Sequence, residues 1–506
     1  MSREKWSTKS GFILAAVGSA IGLGNIWRFP YVAYKNGGGA FIIPYLFAIM
    51  TTGICFVAFE FILGKTYRGS APLTYFRINR KIEFIGWWQF LIAFVIMTYY
   101  AVILAWSMMY IRYSATLAWG FETEDFFYHS FLRVGSRTSL PHIGTVVWQV
   151  LIPLLIVWMV TLGTVYRGVK SGIEKISKIA LPMLIVLFVI FVIRAVTLPG
   201  SISGLNAFFQ PSWPALKQPD VWIAAYSQIF YSLSLAMGIM ITYSSYLPAD
   251  SDTTNSAFIT AFSNSGFELL SGIGIFSAIG FMALKSGKSI EDLAVGGIGL
   301  AFVVIPQIIN QLPMPQFFGV LFFLCLLIAG ITSLISLVEV CISAVSEKFS
   351  LSRKRTVLIV GGLATLVSVL YTTGGGAYLL DVVDNFINNF AILPSAVLEI
   401  LLILWVCRKI NFLRDEANRC SQIRLGSYWK IVLGILTPAV LIIILASALI
   451  SNLRTVYGGY PVSFVAAAGW GLVIVIPFLA FLLSRIPWKG ANCTAAIPTE
   501  EEESSL

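Results

Sequence analysis

Residues 18–25 read Gly18-Ser19-Ala20-Ile21-Gly22-Leu23-Gly24-Asn25, in the middle of an apolar run that extends from about residue 10 to residue 34. Glycine weakens a helix more than any residue except proline. A glycine cluster here predicts that a segment long enough to cross a bilayer is interrupted at its centre. Close packing alone is the simpler explanation, because Gly18 and Gly22 have the small-xxx-small spacing that lets two helices approach. That explanation leaves out Gly24 and the side-chain amide of Asn25, which fall in the same turn. A second apolar run is interrupted by Ser232-Leu233-Ser234-Leu235-Ala236-Met237-Gly238, at the corresponding place in the other half of the chain. Unwound backbone is tolerated at membrane depth only where it lines a cavity. The paired interruptions therefore predict inverted five-helix repeats, spans 1–5 and 6–10, with spans 1 and 6 unwound around a binding site at the bilayer midplane.

The rest of the 506 residues supplies the membrane: 58% are hydrophobic and 11% charged, against roughly 25% charged in a soluble domain. Since one span takes about 20 apolar residues, the runs predict an all-α polytopic membrane protein of about 12 transmembrane helices. A soluble enzyme, a coiled coil and a disordered scaffold are excluded. So is a membrane β-barrel, whose strands would alternate where Ala180 to Val196 is continuously apolar. The net charge of +10 reflects orientation rather than nucleic-acid binding. Most Lys and Arg fall in alternate loops, among them Arg77, Lys81, Arg167, Lys170, Arg353 and Arg414, which places both termini in the cytoplasm. The expected organisation is a cytoplasmic N-terminal segment (1–9), one transmembrane domain (10–486) and a cytoplasmic tail (487–506). The acidic run Glu500 to Glu503 in that tail repels itself and stays solvated. Met1 to Ser10 has no removable signal. The six cysteines lack metal or disulfide spacing, His129 and His142 lack ligand spacing, and no phosphate-binding Gly-Lys-Ser/Thr loop is present.

The string Gly22-Leu23-Gly24-Asn25-Ile26-Trp27-Arg28-Phe29-Pro30 is followed by Asn36-Gly37-Gly38-Gly39-Ala40-Phe41 and Pro44-Tyr45. Together they strongly resemble the neurotransmitter:sodium symporter family. Trp222 to Tyr246, Ala329-Gly330-Ile331-Thr332-Ser333 and Asp381 to Asp384 follow in the family's order, so the resemblance runs from Arg3 to about Arg485 and leans to the bacterial amino-acid transporter branch. It implies two sodium ions. One would be held by the Ala20 carbonyl, the Asn25 and Asn264 amides, Ser232 and the substrate's own carboxylate. The other would take carbonyls of Gly18, Ile21 and Ala329 with the hydroxyls of Thr332 and Ser333. Oxygen donors suit a hard cation, although a helical Ser or Thr taken singly more often bonds its own backbone.

Gly22 stands where monoamine-carrying relatives have an aspartate, which implies a substrate that brings its own carboxylate. Leu23 and Gly24 N–H groups and the Tyr100 hydroxyl would receive it, as at a helix N-terminus. Carbonyls of Ala20 and Tyr231 and the Ser234 hydroxyl would face the amine. Ile96, Met237, Ser333 and Leu337 would form a pocket for an apolar or aromatic side chain; without the resemblance these residues read as core. Ala236 occupies a glycine position of the bacterial leucine-carrying relative, which bears on pocket size.

Charges inside spans are costly and mark function: Arg28, Glu60, Glu268, Glu339, Asp381, Asp384 and Glu399 all fall there. By resemblance Glu60 supports freed backbone. Arg28 and Asp384 would form an outer gate, with Tyr231 as a lid, while Arg3, Trp6, Tyr246 and Glu347 would form an inner gate, Glu347 replacing the usual aspartate. Glu268, one turn after Asn264, stands where chloride-independent bacterial relatives also carry glutamate, and is expected to stand in for chloride. Its other reading is a packing residue bonded to Tyr45 or Gln228. The expectation is a chloride-independent sodium symporter for an amino acid in a bacterial cytoplasmic membrane, with no nucleic-acid partner. A symporter for an amino-acid-derived osmolyte is the second reading, and a non-transporting receptor the third.

Overall fold

The computed structural model describes residues 4–135 and 144–489. Arg3, His142 and Glu500 to Glu503 lie outside the described residues. The chain is helical, and among the described residues the only β-pairing is two isolated bridges, Gly38 with Pro211 and Val146 with Thr373.

Among the described residues, ten helices are long and apolar enough to cross a membrane. An eleventh crossing is the pair Lys9–Ala20 and Leu23–Lys35, bent by 55°. The expected sixth span is present as two halves, Pro219–Ser232 and Ile239–Ser244, each shorter than a membrane is thick. The expected count of about 12 is thus reached only by joining the pieces of both broken spans.

The first break has extended backbone at Ile21 (φ −74°, ψ 93°) and Gly22 (φ −118°, ψ −165°). Asn25 stabilises it by accepting the Gly22 N–H on Oδ1 at 2.9 Å. In the second break alternate residues turn left-handed, with φ of 54° at Ser234, 56° at Ala236 and 72° at Gly238. For a residue bearing a Cβ that conformation costs roughly 1–2 kcal/mol, so the segment needs support from outside. Glu60 on the second span supplies some of it, Oε1 accepting the Ala236 N–H at 3.1 Å.

Burial separates an inner ring of helices from a lipid-facing rim. The apolar windows of Gly39–Tyr67, Arg80–Thr116, Thr253–Ser286 and Pro315–Phe349 (spans 2, 3, 7 and 8) are 72–83% buried, against 22% for the last span, Val462–Arg485. Lys9–Ala20 packs against the fifth span (Val169–Val196) and spans 7 and 8, so the first break lies inside the ring. Beyond the last span the chain folds back. Trp488 lies against Lys348, 4.6 Å from ammonium to ring centroid, and the Lys489 N–H donates to the Lys348 carbonyl at 3.1 Å. The first residues of the expected tail are therefore docked.

Lipid provides no hydrophobic drive between helices, so close approach depends on small residues. A Cβ on Gly64 of span 2 would lie 2.0 Å from the Ile241 carbonyl oxygen and 2.1 Å from Ser244 Oγ, both on the second half of span 6. Gly64→Ala should destabilise the protein by about 1–3 kcal/mol, the usual cost of overpacking. Gly163→Ala, whose Cβ would meet nothing within 4 Å, should leave it unchanged. Thermal melts of the two variants in one detergent check this, and equal melting temperatures would refute the close approach.

Candidate functional site

The breaks line one cavity of about 950 Å³, which runs from the unwound turns to connections on the face opposite the N-terminus, including Glu124, His129 and Gly297. Every residue expected at the substrate lines it: Ala20, Leu23, Gly24, Ile96, Tyr100, Tyr231, Ser234, Met237, Ser333 and Leu337. Ala236, also buried, is not among the lining residues and instead turns its N–H to Glu60. At the floor the Leu23 N–H donates to the Tyr100 hydroxyl at 3.3 Å. A Cβ on Gly22 would sit 3.1 Å from Tyr100 Oη and 3.2 Å from Ser333 Oγ, whereas one on Gly24 would meet nothing within 4 Å. The second half of span 1 therefore presents its positive N-terminal end to the cavity, where a side chain at position 22 would press on Tyr100 Oη and Ser333 Oγ.

Beside this floor the three side chains of the first expected sodium site converge. Asn25 Nδ2 donates to Asn264 Oδ1 at 2.7 Å and lies 3.4 Å from Ser232 Oγ, which also accepts from Asn264 Nδ2 at 2.5 Å. In the second set, Gly18 faces Thr332, since its Cβ would touch the Thr332 side chain at 3.5 Å. The Thr332 hydroxyl bonds the Ala329 carbonyl at 2.9 Å, and Ser333 Oγ lies 3.1 Å from the Ser19 carbonyl and 3.3 Å from that of Ala329. Ile21 is buried nearby in the same turn. Both hydroxyls thus make the backbone bonds ordinary for a helix. Donating the proton to a carbonyl nevertheless leaves the oxygen's lone pairs free to accept.

Glu268 is fully buried one turn from Asn264. It accepts from Gln228 Nε2 at 2.6 Å and from the Tyr45 hydroxyl, which also lies 2.7 Å from Ser265 Oγ. Both anticipated partners are present together.

The two ends of the cavity differ. Towards the connections on the face opposite the N-terminus, Arg28 lies over the Tyr231 ring, 4.7 Å from its centroid, while Asp384 accepts from Tyr99 Oη at 2.7 Å and Asn388 Nδ2 at 3.0 Å. Among the described residues Arg28 and Asp384 form no ion pair within 4 Å, so this end is open. At the N-terminal end Trp6 is inserted into the bundle: Nε1 donates to the Tyr243 carbonyl at 2.8 Å and its backbone N–H to that of Tyr246 at 3.3 Å. Tyr246 Oη donates to Glu339 at 2.7 Å, and Glu347 accepts from the Ser70 N–H at 2.9 Å and hydroxyl at 2.6 Å.

Four residues strengthen this closed end that the sequence reading gave no gate role. Arg353 is ion-paired with fully buried Glu339 and lies 3.5 Å from Glu4. Glu174 on span 5 accepts from the Ser7 N–H at 2.8 Å and the Thr8 hydroxyl at 3.0 Å. The available signal was Glu339 itself, because a carboxylate inside a span needs a partner and Arg353 opens the next helix.

The sequence pattern described as the Sodium:neurotransmitter symporter family matches residues 3–123 and 120–489. An uncharacterised sodium-dependent transporter of Methanocaldococcus jannaschii is 40% identical over 97% of this chain and 98% of its own length. A sodium-dependent dopamine transporter of Caenorhabditis elegans is 31% identical over 91% of this chain and 82% of its own. A sodium- and chloride-dependent taurine transporter of Rattus norvegicus is 29% identical over 95% and 84%.

Removing a packed Trp commonly costs about 3–5 kcal/mol, and here the loss falls on the closed end. Trp6→Ala should speed labelling of a Ser336→Cys reporter, which lines the cavity, by at least about tenfold, the equivalent of 1.4 kcal/mol. The readout is modification by a membrane-impermeant thiol reagent applied from the side of the N-terminus, in protein freed of its other cysteines. An unchanged rate would show that Trp6 does not close this end.

Proposed function

The chain belongs to the sodium:neurotransmitter symporter family, and from that premise we propose that it imports an amino acid with an apolar or aromatic side chain, driven by sodium through alternating access. Both termini lie in the cytoplasm on this reading, so the cavity is the outward-open one. The observation that carries the substrate class is the Gly22 floor. With Tyr100 Oη and Ser333 Oγ 3.1 and 3.2 Å from where a Cβ would be, no fixed acid is available there to meet an amine. A helix N-terminus is offered instead, which favours a substrate carboxylate. Ile96, Met237 and Leu337 on the cavity wall support an apolar side chain.

Asn25, Ser232, Asn264 and the Ala20 carbonyl hold one sodium together with that carboxylate. Gly18, Ile21, Ala329, Thr332 and Ser333 hold the second. Because sodium and substrate share a ligand, each raises the other's affinity by the same factor. Closure brings Arg28 and Asp384 together over Tyr231, and opening of the inner end releases Trp6, Tyr246 and Glu347, with Arg3 as the remaining member of that gate. A zwitterionic osmolyte is the second reading, favoured by the relative named for taurine. Sodium-gradient uptake into liposomes, with a panel of unlabelled amino acids and taurine as competitors, tests both. Competition by several apolar or aromatic amino acids is expected, since one methylene in such a pocket discriminates by only about 1–3 kcal/mol. Competition by taurine alone would replace the first reading with the second.

Glu268 supplies the negative charge that balances sodium, held by the Tyr45 and Gln228 donors, and takes up a proton when sodium leaves. Those donors would hold a chloride equally well if the carboxylate were absent. Uptake by the wild type should persist when gluconate replaces chloride, whereas Glu268→Ser should fall by at least about tenfold, or 1.4 kcal/mol, and recover with chloride. A Glu268→Ser variant indifferent to chloride would remove Glu268 from this role.

A further inference from the structure

Behind the break in span 6 lies a buried polar cluster that the transport site does not use. Glu60 on span 2, Gln89 on span 3 and Glu399 on span 10 (Gly376–Val406) are all fully buried. Glu399 Oε2 accepts from Gln89 Nε2 at 2.8 Å, and the same Gln89 nitrogen lies 2.9 Å from the Tyr75 hydroxyl. Glu60 uses one oxygen for the Ala236 N–H. Glu60 Oε2, Glu399 Oε1 and Gln89 Oε1 have no hydrogen-bond partner among the described residues. Gln89 Oε1 looks onto the unwound segment, 3.4 Å from where a Cβ on Gly238 would be.

All three orphaned atoms are acceptors, so the cluster is short of donors. It is also short of positive charge. The two carboxyls and Tyr75 act on one another electrostatically, and among the described residues no Lys, Arg or His is ion-paired or hydrogen-bonded to either Glu60 or Glu399. Two ionised carboxylates sharing a dry site without a cation are strongly disfavoured. Protonating one converts an acceptor into a donor and halves the charge.

We propose that Glu60 and Glu399 form a proton-binding site separate from Glu268, in which the two carboxyls share one proton and carry one negative charge between them. Both carboxyls keep a donor that favours an ionised form, the Ala236 N–H at Glu60 and Gln89 Nε2 at Glu399, so the single negative charge belongs to the pair. The site ties spans 2, 3 and 10 to the break in span 6 as one singly charged unit.

Infrared spectra of the purified full-length protein, with its glutamates carbon-13 labelled, test the assignment directly and do not depend on transport. At neutral pH the difference between wild type and Glu399→Gln should contain one deuterium-sensitive protonated-carboxyl band. Glu60→Gln should lose that band too, because the carboxyl left alone keeps its donors and has no like charge beside it. If Glu399→Gln does not fold, Glu399→Asp should shift the same band while keeping it. Absence of a protonated-carboxyl difference in whichever variant folds would overturn the proposal. So would carboxylate bands that disappear in the variant and move with sodium concentration in the wild type, which would make the pair a cation site.

Discussion

A peptide group released from a helix inside a bilayer has no water to turn to, and the structure is organised around that constraint. Two helices are opened around one cavity, and several of the freed groups are met by specific neighbours. The Gly22 N–H goes to Asn25, that of Leu23 to Tyr100, that of Ala236 to Glu60, and the Ser19 carbonyl to Ser333. Several of these neighbours face the cavity as well. The atoms that make the breaks tolerable are therefore largely those that can receive a small polar cargo, and neither role can be altered without touching the other.

Asymmetry between the two ends follows from how each is built. The open end is lined by side chains that stand apart, with Arg28 resting on Tyr231 and Asp384 engaged by Tyr99 and Asn388. The other end is closed by a length of backbone with Trp6 at its centre, fixed on either side by Glu4 with Arg353 and by Ser7 and Thr8 with Glu174. Side chains can change rotamer in place, whereas the strap must come away as a unit. The two closures accordingly ask for different amounts of rearrangement.

Much of this was legible in the sequence. Gly22, Gly24 and the Ser232 to Gly238 cluster announced both breaks, because local composition controls helix continuity. The family resemblance then gathered cavity residues that composition alone would have assigned to the core, and all of them line one space. Less visible was the left-handed turn at Ser234 and Ala236: neither residue type signals positive φ, which tertiary contacts impose. Glu4, Glu174 and Arg353 were hidden for a related reason. They read as ordinary loop or helix-end charges until residues more than a hundred positions away are brought beside them. The same distance in sequence concealed the return of Trp488 onto Lys348.

The strap also bears on how the protein is made. Trp6 leaves the ribosome long before its partners, since the Tyr243 carbonyl that its indole meets lies 237 positions further on, that of Tyr246 lies beyond it, and the neighbouring Glu4 waits for Arg353. The N-terminal end cannot seal until roughly the first nine crossings have been inserted, so sealing is a late event of biogenesis and of high contact order. A nascent chain halted before the ninth span would have the Tyr243 and Tyr246 carbonyls to receive Trp6 but not the Arg353 guanidinium that holds Glu4.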